Sequence, residues 1–354
     1  MVRLLHSTSF VYDENLLSYD FGQSHPFRPE RISKCMDILR TKGAIGNNQN
    51  PIVSPRIASY EEVRQFHTVE YLDFVRKVSV DGNGILDSGD TPAFRGCYEA
   101  SLAIVGATLT AIELVASGMA DHSVNFAGGL HHARKGNASG FCILNDCAVG
   151  IAYLKKKYNR IAYIDADAHH GDGVIYGFYD DPQLLTIDIH QDGSTLFPGT
   201  GNYYETGAGD GEGYKVNLPI PPGSGDDILL SLANDIVLPV LKKHKPDYII
   251  MQCGADGLEG DPLAQLSYSK GGLARFIDLI HDASHDLCGG RLVLTGGGGY
   301  NTNATAECWA EEFAVIGGAE REFLKEGAFS VSDPWILSKV KEMADAVKEA
   351  LYLE

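Results

Sequence analysis

Short apolar runs alternate with amphipathic stretches along almost the whole chain. Arg160–Asp165, Asp247–Cys253 and Arg291–Thr295 are nearly continuous apolar runs, the pattern of strands buried on both faces of a parallel sheet. Arg3–His6, Ser123–Phe126 and Leu184–His190 are further strand candidates. Helical periodicities lie between them. Ser59-Tyr-Glu-Glu62 reads as a capping box that opens a helix carrying Val63, Phe66, Tyr71, Phe74 and Val75. Arg95–Ser117 is Ala-rich and closed by Gly118, and Ser269–Leu287 ends at Gly289-Gly290. Asp226–His244 carries an apolar stripe, with a kink expected at Pro239. Asn303–Ile316 and Asp333–Leu353 complete the set, the last with Asp333 as cap and Pro334 at the first helical position. Its Ile336, Val340, Met343, Val347 and Leu351 form one stripe, which would dock on the body of the protein or join two copies. This alternation predicts a single α/β domain with a mainly parallel sheet, whose ligand site lies beyond the carboxyl ends of the strands.

Composition narrows the function. With 354 residues, 44% of them hydrophobic, the chain has material for a real core and is not a disordered protein. The net charge of −18 argues against a general phosphate-binding surface, so direct nucleic-acid binding is not expected. No run of 18 or more apolar residues is present, so no membrane span is expected. The start, Met1 to Phe10, lacks the apolar core of a secretory signal. Seven scattered cysteines, none in a Cys-x-x-Cys pair, read as buried thiols in a reducing cytoplasm. Forty glycines point to loops where backbone approaches a ligand closely.

The strand ends hold the candidate chemistry. Asp165, Asp167 and His169 alternate with alanines after one strand, and period two in an extended chain would put all three on one side. Such a density of buried ionisable groups needs cations, and Asp with His suits zinc. Asp256 follows another strand and would complete two carboxylates and an imidazole, a set with an open position. His131-His132 follow Gly128-Gly129. They fit a general base with its partner, extra metal ligands, or simply a turn. Asp165 and Asp172 are available to fix their tautomers. Four glycines precede Tyr300, whose phenol could stabilise an oxyanion; a phosphate loop would need a following Gly-Lys-Ser/Thr. Asp188, near Asp165, adds an acid that suggests a further hard cation. Phe141 and Phe197 read either as walls of a narrow apolar slot or as core residues.

Five ordered motifs, HPFRPERI, GGLHHA, DADAHHGDG, GADGLEGDP and GGGGYN, resemble the zinc-dependent histone deacetylase family. That family sits in the arginase/deacetylase superfamily with acetoin-utilisation proteins and acetylpolyamine amidohydrolases. The resemblance runs from His25 to about Gly318. It implies an arginase/deacetylase-like fold, helices on both faces of the sheet, with a deacetylase catalytic domain over 1–320 and a C-terminal helical extension, 321–354, packed on it. It implies one catalytic Zn2+ on Asp167, His169 and Asp256. His131 and His132 resemble the paired catalytic histidines, with Asp165 and Asp172 as partners, and Tyr300 the transition-state tyrosine. Gly140, Phe141, Phe197 and Leu263 resemble the acyl-lysine tunnel, Asp90 the rim acid, and Arg31 a residue by the channel for the released acid. K+ is implied at an inner site of Asp165, Asp167, His169 and Ile189, where Asp188 replaces the Ser of many members. A second site is implied near Phe178, Asp181, Leu184 and Tyr214. Arginase-like ureohydrolases need further carboxylates where Gly171 and Gly254 stand here, so a binuclear site is not expected. The implied activity is hydrolysis of N-acetyl-lysine in proteins to release acetate. Acetylated polyamines are the alternative substrate, and an inactive acyl-lysine binder is a third reading.

Overall fold

Eight strands, all parallel, make one sheet in the computed structural model, which describes residues 7–319 and 329–353. They are β1 (Thr8–Val11), β2 (Ile52–Val53), β3 (His122–Asn125), β4 (Ile161–Asp165), β5 (Leu184–Gln191), β6 (Lys215–Ile220), β7 (Tyr248–Gln252) and β8 (Leu292–Thr295). Their order is β2-β1-β3-β8-β7-β4-β5-β6. The expected α/β architecture is therefore present, and wholly parallel. The Arg3–His6 strand candidate lies outside the described residues. Every residue of β3, β4, β5, β7 and β8 is buried, as the apolar runs of β4, β7 and β8 required, while β3 and β5 bury polar residues as well.

Three strands escape the pattern: β1, which follows the Arg3–His6 candidate without overlapping it, and the two edges. β2 is a two-residue edge. β6 reads Lys-Val-Asn-Leu-Pro-Ile, and its Pro219 is tolerated because β6 is the other edge. Two helices also differ from expectation. The one opened by the Ser59 capping box stops at Val63, and a second runs Val69–Asp81 with Thr68 as its own cap. The break lets His67 Nε2 accept the Asn145 N–H at 2.9 Å, a contact that periodicity does not register. Over 226–244 the helix is interrupted just before Pro239. The interruption is a π-helical stretch, Ala233–Val237, closed by the Leu238 N–H donating to the Ala233 carbonyl.

The helix Cys97–Ala116 is long and apolar enough to cross a membrane, yet most of it is buried in the protein as a core element. The C-terminal helix, Pro334–Leu351, buries Ile336, Val340, Met343 and Val347 and packs on β6 and on the helix Asp226–Leu232.

The register fixes where the apolar interior ends. Asn125 pairs with Thr295, Thr295 with Gln252, Gln252 with Asp165, and Asp165 with Asp188. One polar row thus crosses β3-β8-β7-β4-β5 at the carboxyl edge. The loops just beyond it come from adjacent strands and meet without long excursions.

Candidate active site

The segment after β4 does not continue as a strand. Asp165 ends β4, and Asp167 and His169 lie in the loop beyond, so the three acidic and imidazole groups divide between two tasks. Asp167 and His169 meet Asp256 from the loop after β7. His169 Nδ1 lies 2.8 Å from Asp256 Oδ2 and 3.1 Å from Asp167 Oδ1. The remaining oxygens are tied back. Asp167 Oδ2 accepts from Gln252 Nε2 and from the Gly298 N–H, both at 2.7 Å. Asp256 Oδ1 accepts the Ala168 N–H at 2.8 Å.

Each carboxylate therefore turns one oxygen toward the imidazole nitrogen. All three residues are buried. Burial and then Asp167 push Asp256 up to about 7. At His169 burial opposes the charge, but Asp256 and Asp167 outweigh it and lift the ring to about 10. Among the described residues neither carboxylate bonds a Lys or Arg. Two oriented carboxylates and an imidazole with held second oxygens fit a divalent cation of the zinc type.

Glycine makes this close approach feasible. A Cβ on Gly254 would lie 2.2 Å from Asp167 Oδ2, and one on Gly298 would lie 1.9 Å from Asp256 Oδ2. The first of these also leaves no room for a second carboxylate at position 254.

The tandem histidines sit beside this set. His131 Nδ1 is 2.8 Å from Asp165 Oδ2, and His132 Nδ1 is 2.8 Å from Asp172 Oδ1. Their Nε2 atoms are 3.0 Å apart. The environments differ. Burial opposes charge on His131, yet Asp165 and Asp167 raise it to about 10. At His132 burial, then the charge of His131, pushes the ring down to about 4. Arg134 bonds the other oxygen of Asp172 at 2.7 Å and so competes for its charge. One proton is thus shared unequally between two touching imidazoles.

A cavity of about 250 Å³ opens onto His132 of the pair. Asp90, Gly140, Phe141, Phe197, Leu263 and Tyr300 line it with His132 and His169. Phe197 packs edge-on to His132, with ring centres 5.1 Å apart, and Phe141 edge-on to Tyr300 at 5.8 Å. Phe141 adopts φ +67°, a costly backbone for a non-glycine residue. Thr91 Oγ1 accepts its N–H at 3.0 Å, and Tyr19 donates to its carbonyl at 2.7 Å, so the strained residue is held on both sides. Asp90 is exposed at the mouth. Tyr300 is oriented through its N–H, which donates to Asp261 Oδ2 at 2.8 Å. Burial, then Asp256 and Asp167, push the phenol well above 10, so it stays protonated. Arg31 is buried under this floor, donates to the Gly299 carbonyl at 3.0 Å and faces the Phe27 ring.

Gln252 and Asp261 were not singled out by sequence. Gln252 looks like the last residue of an apolar strand, and only its register beside Asp165 shows that it reaches Asp167.

The residues considered for a monovalent cation separate. Asp188 is engaged within the chain: Oδ2 accepts the Gly171 N–H at 2.8 Å and Oδ1 lies 2.7 Å from His190 Nδ1. At the outer position, the ammonium of Lys215 donates to the carbonyls of Leu184 at 2.7 Å and Asp181 at 3.1 Å, with Tyr214 at 3.5 Å. Lys215 is fully buried. Burial, then the nearby Lys155, pushes it down to about 7, whereas three carbonyl acceptors reward the charged form. A tethered cation therefore covers three of the four residues implied for a second potassium. Lys215→Ala should cost roughly 2–4 kcal/mol of stability, because buried carbonyls lose their donor. K+ should restore part of that loss and choline none, as read by melting temperature; equal effects of the two salts would refute the cage.

The histone deacetylase domain model matches residues 25–316. The acetoin utilization protein AcuC of Bacillus subtilis (strain 168) is 41% identical over 329 residues, covering 89% of this chain and 84% of that protein. AcuC of Staphylococcus xylosus is 37% identical over 330 residues, 90% of this chain and 84% of that protein. Histone deacetylase 6 of Arabidopsis thaliana is 34% identical over 322 residues, 88% of this chain and 67% of that protein.

Proposed function

The chain belongs to the histone deacetylase family, and from that membership we propose that it hydrolyses the amide of N-acetyl-lysine side chains in proteins, releasing acetate. The observation that carries the reading is the cavity itself. Its walls, Phe141, Phe197 and Leu263, suit an aliphatic stem, and its inner end holds His132, His169 and Tyr300.

A zinc ion held by Asp167, His169 and Asp256 would supply the Lewis acidity such hydrolysis uses. The chain's own groups do the rest. His132 faces the cavity and takes the proton that water loses; Asp172 keeps its Nδ1 fixed. His131, braced by Asp165, shares that proton, and the pair returns it to the leaving amine. Tyr300 donates to the acyl oxygen as negative charge grows there. Asp90 at the mouth holds the substrate backbone.

We also place K+ behind the site on the Asp165 carboxylate and the carbonyls of Asp167, His169 and Ile189. We place the protein in a reducing cytoplasm, which the seven free, buried thiols support.

The test is a side-by-side kinetic panel. Acetyl-lysine peptides should exceed acetylputrescine and acetylspermidine in kcat/KM by about tenfold or more, a difference of about 1.4 kcal/mol in transition-state binding. The reverse ranking would assign acetylpolyamines. No turnover of either would leave an acyl-lysine binder.

A further inference from the structure

Three imidazoles converge at the opposite end of the sheet. His122 is the first residue of β3, whereas the site described above lies past the last. His281 and His285 stand one turn apart on the helix Lys270–Cys288, facing it. His281 Nε2 lies 2.9 Å from His122 Nε2 and 3.1 Å from His285 Nε2. The three ring centres are 4.5, 4.8 and 4.9 Å apart, and every pair is edge-on.

An imidazole Nε2 carries either one hydrogen or one lone pair. His281 Nε2 meets two other Nε2 atoms at once, the convergence that one shared cation needs. A cation at the centre uses all three lone pairs. Tetrahedral zinc with bonds of about 2.0–2.1 Å sets its nitrogens roughly 3.3 Å apart, a little wider than the two Nε2 separations of 2.9 and 3.1 Å.

Two further features fit. Gly290 leaves the space, since a Cβ there would lie 2.9 Å from His285 Cε1. Asp278 and Asp282 each bring a carboxylate oxygen within 4.8 Å of a His281 ring nitrogen, which places negative charge beside the cluster.

We propose that His122, His281 and His285 form a second divalent transition-metal site, of the zinc type. It clips the helix Lys270–Cys288 to the start of β3. Three imidazoles without thiolate select zinc, cobalt, nickel or copper over magnesium or calcium. The site has no part in the chemistry proposed above, and its location separates structure from catalysis.

Zinc stoichiometry, measured by equilibrium dialysis and atomic emission, tests it on four full-length proteins. Wild type should bind two equivalents, Asp256→Asn one, His285→Gln one and the double variant none. His285 is only part-buried, so glutamine is tolerated there. Losing a ligand should weaken the second equivalent by at least about 100-fold, beyond the usual effect of losing an outer partner. Turnover of an acetyl-lysine peptide by His285→Gln should be unchanged. In the Asp256→Asn background zinc should still raise the melting temperature, and His285→Gln should abolish the rise. Equal stoichiometry in wild type and His285→Gln, or no zinc-induced rise in Asp256→Asn, would overturn the proposal. A failure of the catalytic assignment would instead appear as an unchanged count in Asp256→Asn.

Discussion

Asp256→Asn is expected to remove one equivalent of zinc and to lower kcat/KM by at least about 10³-fold, the scale of several kcal/mol of lost Lewis-acid assistance. It is also expected to leave the fold intact. Asparagine keeps an oxygen that can accept the Ala168 N–H, the bond that fixes the loop after β4 to the loop after β7. It also removes a carboxyl that burial and Asp167 already hold up near 7, a sign of repulsion inside the site. In a chelator, therefore, the variant should melt no lower than wild type. In zinc, the contribution of this site to the rise in melting temperature should vanish. An enzyme that merely unfolds would fail in both solutions. Retention of zinc count and of rate within tenfold would refute the assignment of Asp256 as a ligand.

The origin of that site explains how far the sequence could be read. Each strand-end motif could be found separately, because apolar runs stop abruptly at Asp165, at Gln252 and at Thr295. Their convergence follows from order, since β3, β8, β7 and β4 are adjacent although their sequence order is not. Period-two alternation over Asp165, Asp167 and His169 did not apply, because β4 ends at its first member. The consequence is chemical. Asp165 turns to His131 and Tyr163, at 2.8 and 2.7 Å, and only the other two face Asp256. Gln252 and Asp261 act through hydrogen bonds that need register or loop closure to exist, so residue type alone gave no signal. The His122 cluster joins residues more than 150 positions apart, yet His281 and His285 already stood at helical spacing in the sequence. Lys215 hid in the same way, as an ordinary polar residue of an unrecognised edge strand.

Tyr300→Phe should lower kcat by about 10²–10³-fold while KM, zinc content and melting temperature stay near wild type. The ring is what packs: its edge-on contacts to Phe141 and His169, at 5.8 and 6.3 Å, do not use the hydroxyl. Its backbone is fixed separately by Asp261. Phenylalanine thus keeps the cavity wall and deletes one donor. The effect falls on kcat because the acyl oxygen gains charge only during the reaction, when the missing hydrogen bond would strengthen. A hydroxyl that merely positioned the ground-state amide would show the opposite split, a raised KM at unchanged kcat. Since burial and the two acids hold the phenol protonated well above neutral pH, its own ionisation should not shape the activity profile below about pH 10. Activity of Tyr300→Phe within about fivefold of wild type, with zinc bound, would show that the charge on the acyl oxygen is met without the phenol, and the proposed mechanism would fall.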